Sequence, residues 1–363
     1  MTHFAPHSTR HPFTQQPGGI ALWLLAALHV LAFLSFLAVL TSATSAHAQT
    51  APVAPVCTGK NVLEELKSKD PARYATLIAE GDKVPNGKGI FWKIEKDGLA
   101  TSYLLGTMHV TDPRVLAMPA GAAEAQKAAR VIAIESDEIL DEQKAMASLA
   151  TKPGLLMFLD GRTIQTMLPK EQVEKLDAAL KERNVPLAAV QSFQPWMISG
   201  LIALPACELA RKAEAAPFLD KKIALDAVAA GKPVKGLETM EEQLSAMAAL
   251  PLDLHLKSLA DTLELGDRMN DVTETMTELY VAGDIGLTVP MLKSISPDEN
   301  EDDSYAAFEE QIVTKRNHIM AERAAPLLAE GGLFMAVGAL HLPGDEGVVE
   351  LLRKQGFSVT AVN

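Results

Sequence analysis

The sequence predicts an α/β fold, with a mixed sheet core built from two related units and a large helical insertion. Three observations point to it. Two segments share the order strand, Gly-x-x-His, loop, helix, strand: Tyr103 to Ile134 through Gly106 and His109, and Phe334 to Val362 through Gly338 and His341. Arg130-Val131-Ile132-Ala133-Ile134-Glu135 is a short, nearly continuous apolar run, the pattern of a strand buried on both faces. Between the two units, apolar residues recur at helical spacing over about 138–295.

In chain order, residues 49–60 form a Pro/Ala-rich lead. Asn61 to Glu80 reads as one helix, with Leu63, Leu66, Tyr74 and Leu77 as its apolar stripe. Pro85 to Gly89 is turn chemistry. Ile90 to Glu95 and Ser102 to Gly106 read as a hairpin turning near Asp97-Gly98. Pro119 to Ala129 is Ala-rich and helical. Within the insertion, Gln194-Pro195-Trp196 looks like a helix start with proline near its first position, and Pro233 to Glu238 reads as a strand. The acidic run Pro297 to Asp303 lacks the Asp-x-Asp-x-Asp-Gly loop pattern and reads as a solvated loop. Ala306 to Leu328 is a helix, Leu333 to Gly338 a buried strand, Gly347 to Lys354 a helix and Phe357 to Val362 a last strand.

The 363 residues suit one large domain, or one domain with an insertion. The net charge of −13 argues against a nucleic-acid partner, because phosphate affinity needs clustered Lys and Arg. There is no P-loop, no GxGxxG after a strand, no CxxC pair and no HExxH.

Residues 1–48 read as a signal peptide. The apolar run Ile20 to Leu40 ends in Ala46-His47-Ala48, the small-x-small pattern of a cleavage site. The rival reading is an N-terminal membrane anchor through residues 20–40, since a helix of that length spans about 30 Å, the thickness of a bilayer core. Both readings place residues 49–363 across the membrane: periplasmic or secreted in the first, anchored to the inner membrane in the second. In an exported chain the even count of two cysteines suggests a disulfide between Cys57 and Cys207, with two buried thiols as the alternative.

Only four histidines follow residue 48, and two of them, His109 and His341, sit in the repeated motif. A strand end that delivers a histidine fits an α/β sheet, where ligands bind at the carboxyl ends of strands. Glu135 ends the strand of the first unit, on the same expected edge. Two histidines and a carboxylate can hold a divalent metal, and a second carboxylate, for which Glu238 is the candidate, can act as general base. His255 and His318 read as packing or surface residues of helices. Met269, Met276 and Met291 read as helical packing, with a greasy groove as the alternative.

The sequence resembles the TraB/PrgY/GumN family, which includes the TIKI proteases, and looks closest to its GumN-like bacterial members. The resemblance runs from about Cys57 to Val362. It is carried by Tyr103 to Val110 with Asp112-Pro113, Glu135, Gly236-Leu237-Glu238-Thr239 with Glu242-Gln243-Leu244, Arg316-Asn317, and Val337 to Gly344. It implies a fold similar to the erythromycin-esterase and ChaN-like proteins and an active site at His109, His341 and Glu135. It also implies a metal-dependent protease activity using Mn or Co, with Zn open on the ligand types. Arg316 would bind a substrate carboxylate or stabilise an oxyanion, with Asn317 beside it, or else form a helix-surface ion pair.

The expected function is an exported metal-dependent hydrolase of peptide or amide bonds. His109, His341 and Glu135 would hold the metal, Glu238 or Glu135 would be the base, and Arg316 and Asn317 would contact a peptide or small-molecule substrate. The alternative is a non-catalytic periplasmic binding protein for a peptide, metal or haem. A third reading is a regulator that sequesters a peptide signal.

Overall fold

The computed structural model describes residues 57–295 and 306–362. The segment read as a signal or anchor and the acidic run after Pro297 lie outside the described residues. The six strands are β1 (Phe91–Glu95), β2 (Ser102–Thr107), β3 (Val131–Ile134), β4 (Val234–Gly236), β5 (Leu333–Gly338) and β6 (Ser358–Ala361). They form one mixed sheet in the order β4-β3-β5-β2-β1-β6. The hairpin partner β1 is antiparallel to both β2 and β6, while β4, β3, β5 and β2 are parallel. The carboxyl ends of those four strands therefore open on one edge, with Thr107 opposite Gly338 and Ile134 opposite Ala336 and Gly236.

The two related units interleave. β5 of the second unit lies between β2 and β3 of the first, and β6 lies at the far edge beyond β1. The register is pinned by strand alternation, because successive side chains point to opposite faces. Trp92, Ile94, Leu104, Val131, Ala133, Leu333, Met335 and Val337 pack on one face beneath Met320, Ala324 and Leu328 of the Lys315–Ala329 helix and Val348, Val349 and Leu352 of the Val348–Lys354 helix. Phe91, Leu105, Ile132, Ile134, Phe334 and Ala336 face the opposite core, formed largely with the helices between β3 and β5. This accounts for the near-continuous apolar runs of β3 and β5, since both of their faces are covered.

Two expected helices differ in extent. The stretch 61–80 is two helices, Val62–Lys69 and Pro71–Gly81, split at Asp70, whose side chain caps the second by accepting from the Arg73 N–H. Pro71 lacks the N–H needed to continue the first helix. The Ala-rich helix is confined to Ala122–Ala128, because Gly121 before it adopts φ +80°. The helix before β5 contains a π-helical stretch, Glu309–Thr314, that ends two residues before Arg316. Cys57 and Cys207 are joined in a disulfide with a Cα separation of 5.4 Å. Among the described residues, no helix is long and apolar enough to cross a membrane.

Candidate functional site

Each motif glycine removes a Cβ that would obstruct the other motif or its carboxylate. At Gly106 a Cβ would lie 2.7 Å from Leu342 Cδ1 and 3.0 Å from Ala339 Cα, so only glycine lets the turn after β5 rest on β2. At Gly338 a Cβ would lie 3.0 Å from Glu135 Oε1. The bare Gly338 backbone instead donates its N–H to that oxygen at 2.6 Å. The turn Ala339–His341 then brings His341 beneath the sheet edge, fully buried.

Glu135, Glu238 and Arg316 form one buried ion cluster. Arg316 Nε donates to both oxygens of Glu238 at 3.0 Å, and its Nη2 donates to Glu238 Oε2 at 2.7 Å and Glu135 Oε2 at 2.8 Å. Gln243 Nε2 adds bonds to Glu135 at 3.0 Å and Glu238 at 3.4 Å. The sequence explains how Gln243 reaches them. Thr239 and Glu242 form a reciprocal capping box that starts the Met240–Ala248 helix at a fixed angle. The Glu238 N–H bonds to the Glu135 carbonyl at 2.7 Å, extending the β3–β4 pairing past the strand ends. Burial pushes the Glu238 carboxyl above the usual range, against the opposing pull of Arg316. Burial disfavours the charged guanidinium of Arg316, but Glu238 and Glu135 outweigh it and hold its proton more tightly than usual.

Both motif histidines have Nδ1 engaged. His341 Nδ1 is 2.6 Å from Asn317 Oδ1, and Asn317 is itself fixed by donating to the Glu346 carbonyl at 2.8 Å. His341 Nε2 stands 3.8 Å from Glu135 Oε1. His109 Nδ1 is 3.0 Å from Asp220 Oδ2, and Thr107 Oγ1 donates to the other oxygen of Asp220 at 2.8 Å. Burial lowers the proton affinity of His109, but Asp220 overcomes it and the net shift is upward. Orienting a ring through Nδ1 by a carboxylate or amide oxygen is how proteins present Nε2 to a metal.

Among the described residues, no three His, Cys, Asp or Glu side chains stand as a ready metal-holding group. The donor chemistry nevertheless fits a divalent ion, with two imidazoles whose Nδ1 atoms are held and a carboxylate near the Nε2 of one of them. Arg316 and Asn317, expected at the substrate, are buried and bonded within this network. Arg316 could meet a substrate only by giving up part of its hold on the carboxylates.

Three neighbours of the site, Asp220, Glu208 and Lys212, were not singled out from the sequence. Asp220 lies in the first turn of the Leu219–Ala229 helix, where an acid reads as ordinary dipole complement. Glu208 accepts from the backbone N–H and hydroxyl of Thr111, both at 2.8 Å, fixing the loop after the first motif. Lys212, four residues on in the same helix, donates to the His109 carbonyl at 3.3 Å. Burial brings its ammonium down to about 7, against the pull of Glu208. Gln243, one of the residues that carry the resemblance, was given no role from the sequence; in the structure it bonds to both carboxylates.

Outside the cluster, His255 is buried in the Leu252–Leu265 helix, and burial lowers it to about 4. His318 is exposed and pairs with Glu346 at 2.8 Å. Trp92 and Trp196 are core residues.

The sequence profile of the TraB/PrgY/gumN family matches residues 90–361. The chain is 24% identical over 325 residues, 76% of its length and 68% of the relative's, to a protein named Metalloprotease TIKI homolog from Nematostella vectensis. It is 24% identical over 316 residues, 74% of its length and 62% of the relative's, to Metalloprotease TIKI1 of Danio rerio. It is 25% identical over 319 residues, 74% and 61% respectively, to Metalloprotease TIKI1 of Homo sapiens. It thus spans less than two thirds of the length of both vertebrate relatives. No solved structure matches the chain. With both motifs, the carboxylate cluster and the whole sheet inside the matched region, the chain belongs to the TraB/PrgY/gumN family.

Proposed function

We propose that the chain is an exported metal-dependent hydrolase of peptide or amide bonds, with a fold akin to the erythromycin-esterase and ChaN-like proteins. The observation that carries the reading is the engagement of Nδ1 on both motif histidines, with His341 Nε2 turned toward Glu135. His109, His341 and Glu135 would hold the divalent ion, Mn, Co or Zn. A bound ion supplies Lewis acidity toward a carbonyl and acidifies bound water. The names of the relatives support a metalloprotease, and the disulfide supports an oxidising, exported setting.

The residues of the chain then divide the remaining work. Glu238, whose burial favours its protonated form, is suited to hold and return a proton, and Glu135 is the other candidate base. Arg316 holds the two carboxylates in place and balances their charge, and it would orient a substrate's polar end, with Asn317, only by giving up part of those bonds. Asp220 and Asn317 set the ring orientations of His109 and His341.

The test is elemental analysis of the purified chain beside His109→Ala and His341→Ala, after incubation with Mn, Co and Zn. About one metal per chain in the wild type, lost in both variants with unchanged circular dichroism, is the expected result. No metal in the wild type, or full metal in both variants, refutes the site. Hydrolysis of a broad peptide library, abolished by Glu135→Gln, separates the hydrolase from a binding protein that uses the same histidines.

A further inference from the structure

Beside the carboxylate cluster, at the carboxyl ends of β2 and β5, lies a small open cleft. His109 and Gly338 form its edge on the side of the proposed site. The rest of its wall is chiefly apolar. Met108 and Leu340 come from the two motifs, Met276 and Tyr280 from the Arg268–Ala282 helix, and Ile285 from the turn that follows it. The Tyr280 hydroxyl is committed to the Gly106 carbonyl at 2.9 Å, which leaves the ring as its contribution to the wall. Among the described residues, no Asp, Glu, Lys or Arg lines the cleft.

We infer that this cleft is the specificity subsite of the hydrolase and takes a large apolar side chain, such as Leu, Met or Phe, from the residue flanking the scissile bond. The inference rests on the hydrolase reading given above. Its ground is continuity: the cleft begins at His109 and at Gly338, whose N–H is bonded to Glu135. A peptide carbonyl brought to that edge carries its neighbouring side chain within reach of the cleft. Two methionine side chains let the wall adjust to apolar groups of different shape, and among the described residues no Asp, Glu, Lys or Arg lines it to pair with a charged one.

The experiment compares the wild type with Met276→Trp, which fills the cleft, and Met276→Ala, which enlarges it. Peptides varied at both positions flanking the cut are assayed for kcat/KM. In parallel, saturation-transfer NMR follows binding of N-acetyl-leucinamide and N-acetyl-phenylalaninamide, with N-acetyl-alaninamide and N-acetyl-asparaginamide as controls. Leu, Met or Phe at one flanking position is expected to exceed Ala by about tenfold or more in kcat/KM. Met276→Trp should lower that advantage about tenfold, and Met276→Ala should shift it toward Phe. The apolar amides should bind the wild type and lose their advantage in Met276→Trp.

Apolar amide binding of this kind without any cleavage would uphold the subsite and remove the hydrolase. Cleavage with no apolar preference, or with a preference both variants leave unmoved, would overturn the subsite and keep the hydrolase. Absence of both cleavage and amide preference would overturn the subsite as well. If Met276→Trp does not fold by circular dichroism, the direction of the Met276→Ala shift decides.

Discussion

Replacing Arg316 with methionine keeps an unbranched apolar stem and removes the guanidinium charge from between two buried carboxylates. Arg316, Glu135 and Glu238 are each only 4% exposed, so water cannot take over the four contacts of 2.7–3.0 Å that the guanidinium makes to them. Breaking a buried ion pair from one side costs about 3–5 kcal/mol, because the remaining charge is stranded. The loss should depend on pH with a definite sign. Glu238 is already shifted upward by burial, and without Arg316 it shifts further. A carboxyl with a raised folded value binds a proton that the unfolded chain has released, so stability falls as pH rises through that window. The deficit of Arg316→Met should therefore be about 4 kcal/mol at pH 8 and clearly smaller at pH 5. Urea unfolding followed by tryptophan fluorescence at the two pH values measures it, with a shift in midpoint at constant slope. Pairing the change with Glu238→Met should recover part of the loss, since Glu135 stays buried without the guanidinium. A deficit below about 1 kcal/mol at pH 8, or one that does not shrink at pH 5, would refute the buried-cluster argument.

Three further outcomes are expected. His255, lowered from 6.5 to about 4, binds its proton more readily in the unfolded chain, so it costs stability as pH falls through that window. From pH 7 to 4.5 the wild type should lose about 2 kcal/mol more than His255→Leu in urea unfolding, and equal losses would contradict the assignment. The Cys57–Cys207 bond closes a separation of 150 residues, and converting both to alanine should cost up to about 5 kcal/mol by the loop-entropy estimate, read in the same assay. Asp220→Asn should weaken Mn or Co binding about 10- to 100-fold in calorimetric titration with the fold unchanged, and wild-type affinity would show that Asp220 does not orient His109.

The strands were legible because the central ones are covered on both faces, which leaves unbroken apolar runs such as Val131–Ile134 and Leu333–Gly338. Strand order was not legible. Nothing in the pattern of β5 says that it separates β2 from β3, since hydropathy reports burial and not the neighbour that provides it. The break at Asp70-Pro71 was legible in principle, because a proline after a capping aspartate outweighs a continuous apolar stripe. In the candidate site, the residues at strand ends stood out through position and type: His109, Glu135, Glu238 and His341. Their supporters did not. Asp220 and Glu208 reach the first motif from helices far along the chain, and an acid in a first helical turn has a sufficient local explanation. Arg316 sits in a helical stripe where a surface pair and a buried clamp look the same in sequence.

The interleaving of the two units also governs when the molecule can exist at all. Leu333, at the start of β5, bonds to Ser102 of β2 across 231 positions of chain. As the polypeptide emerges from its N-terminus, β2 and β3 must wait with an open slot between them, and exposed strand edges are prone to mispairing. Such distant pairing also makes for slow closure. The strand that fills the slot leads directly into His341 and carries Gly338, the donor to Glu135. A nascent or C-terminally truncated chain lacking this strand thus has neither a completed sheet nor an assembled site, and any activity of the site can begin only when the last part of the chain has been placed.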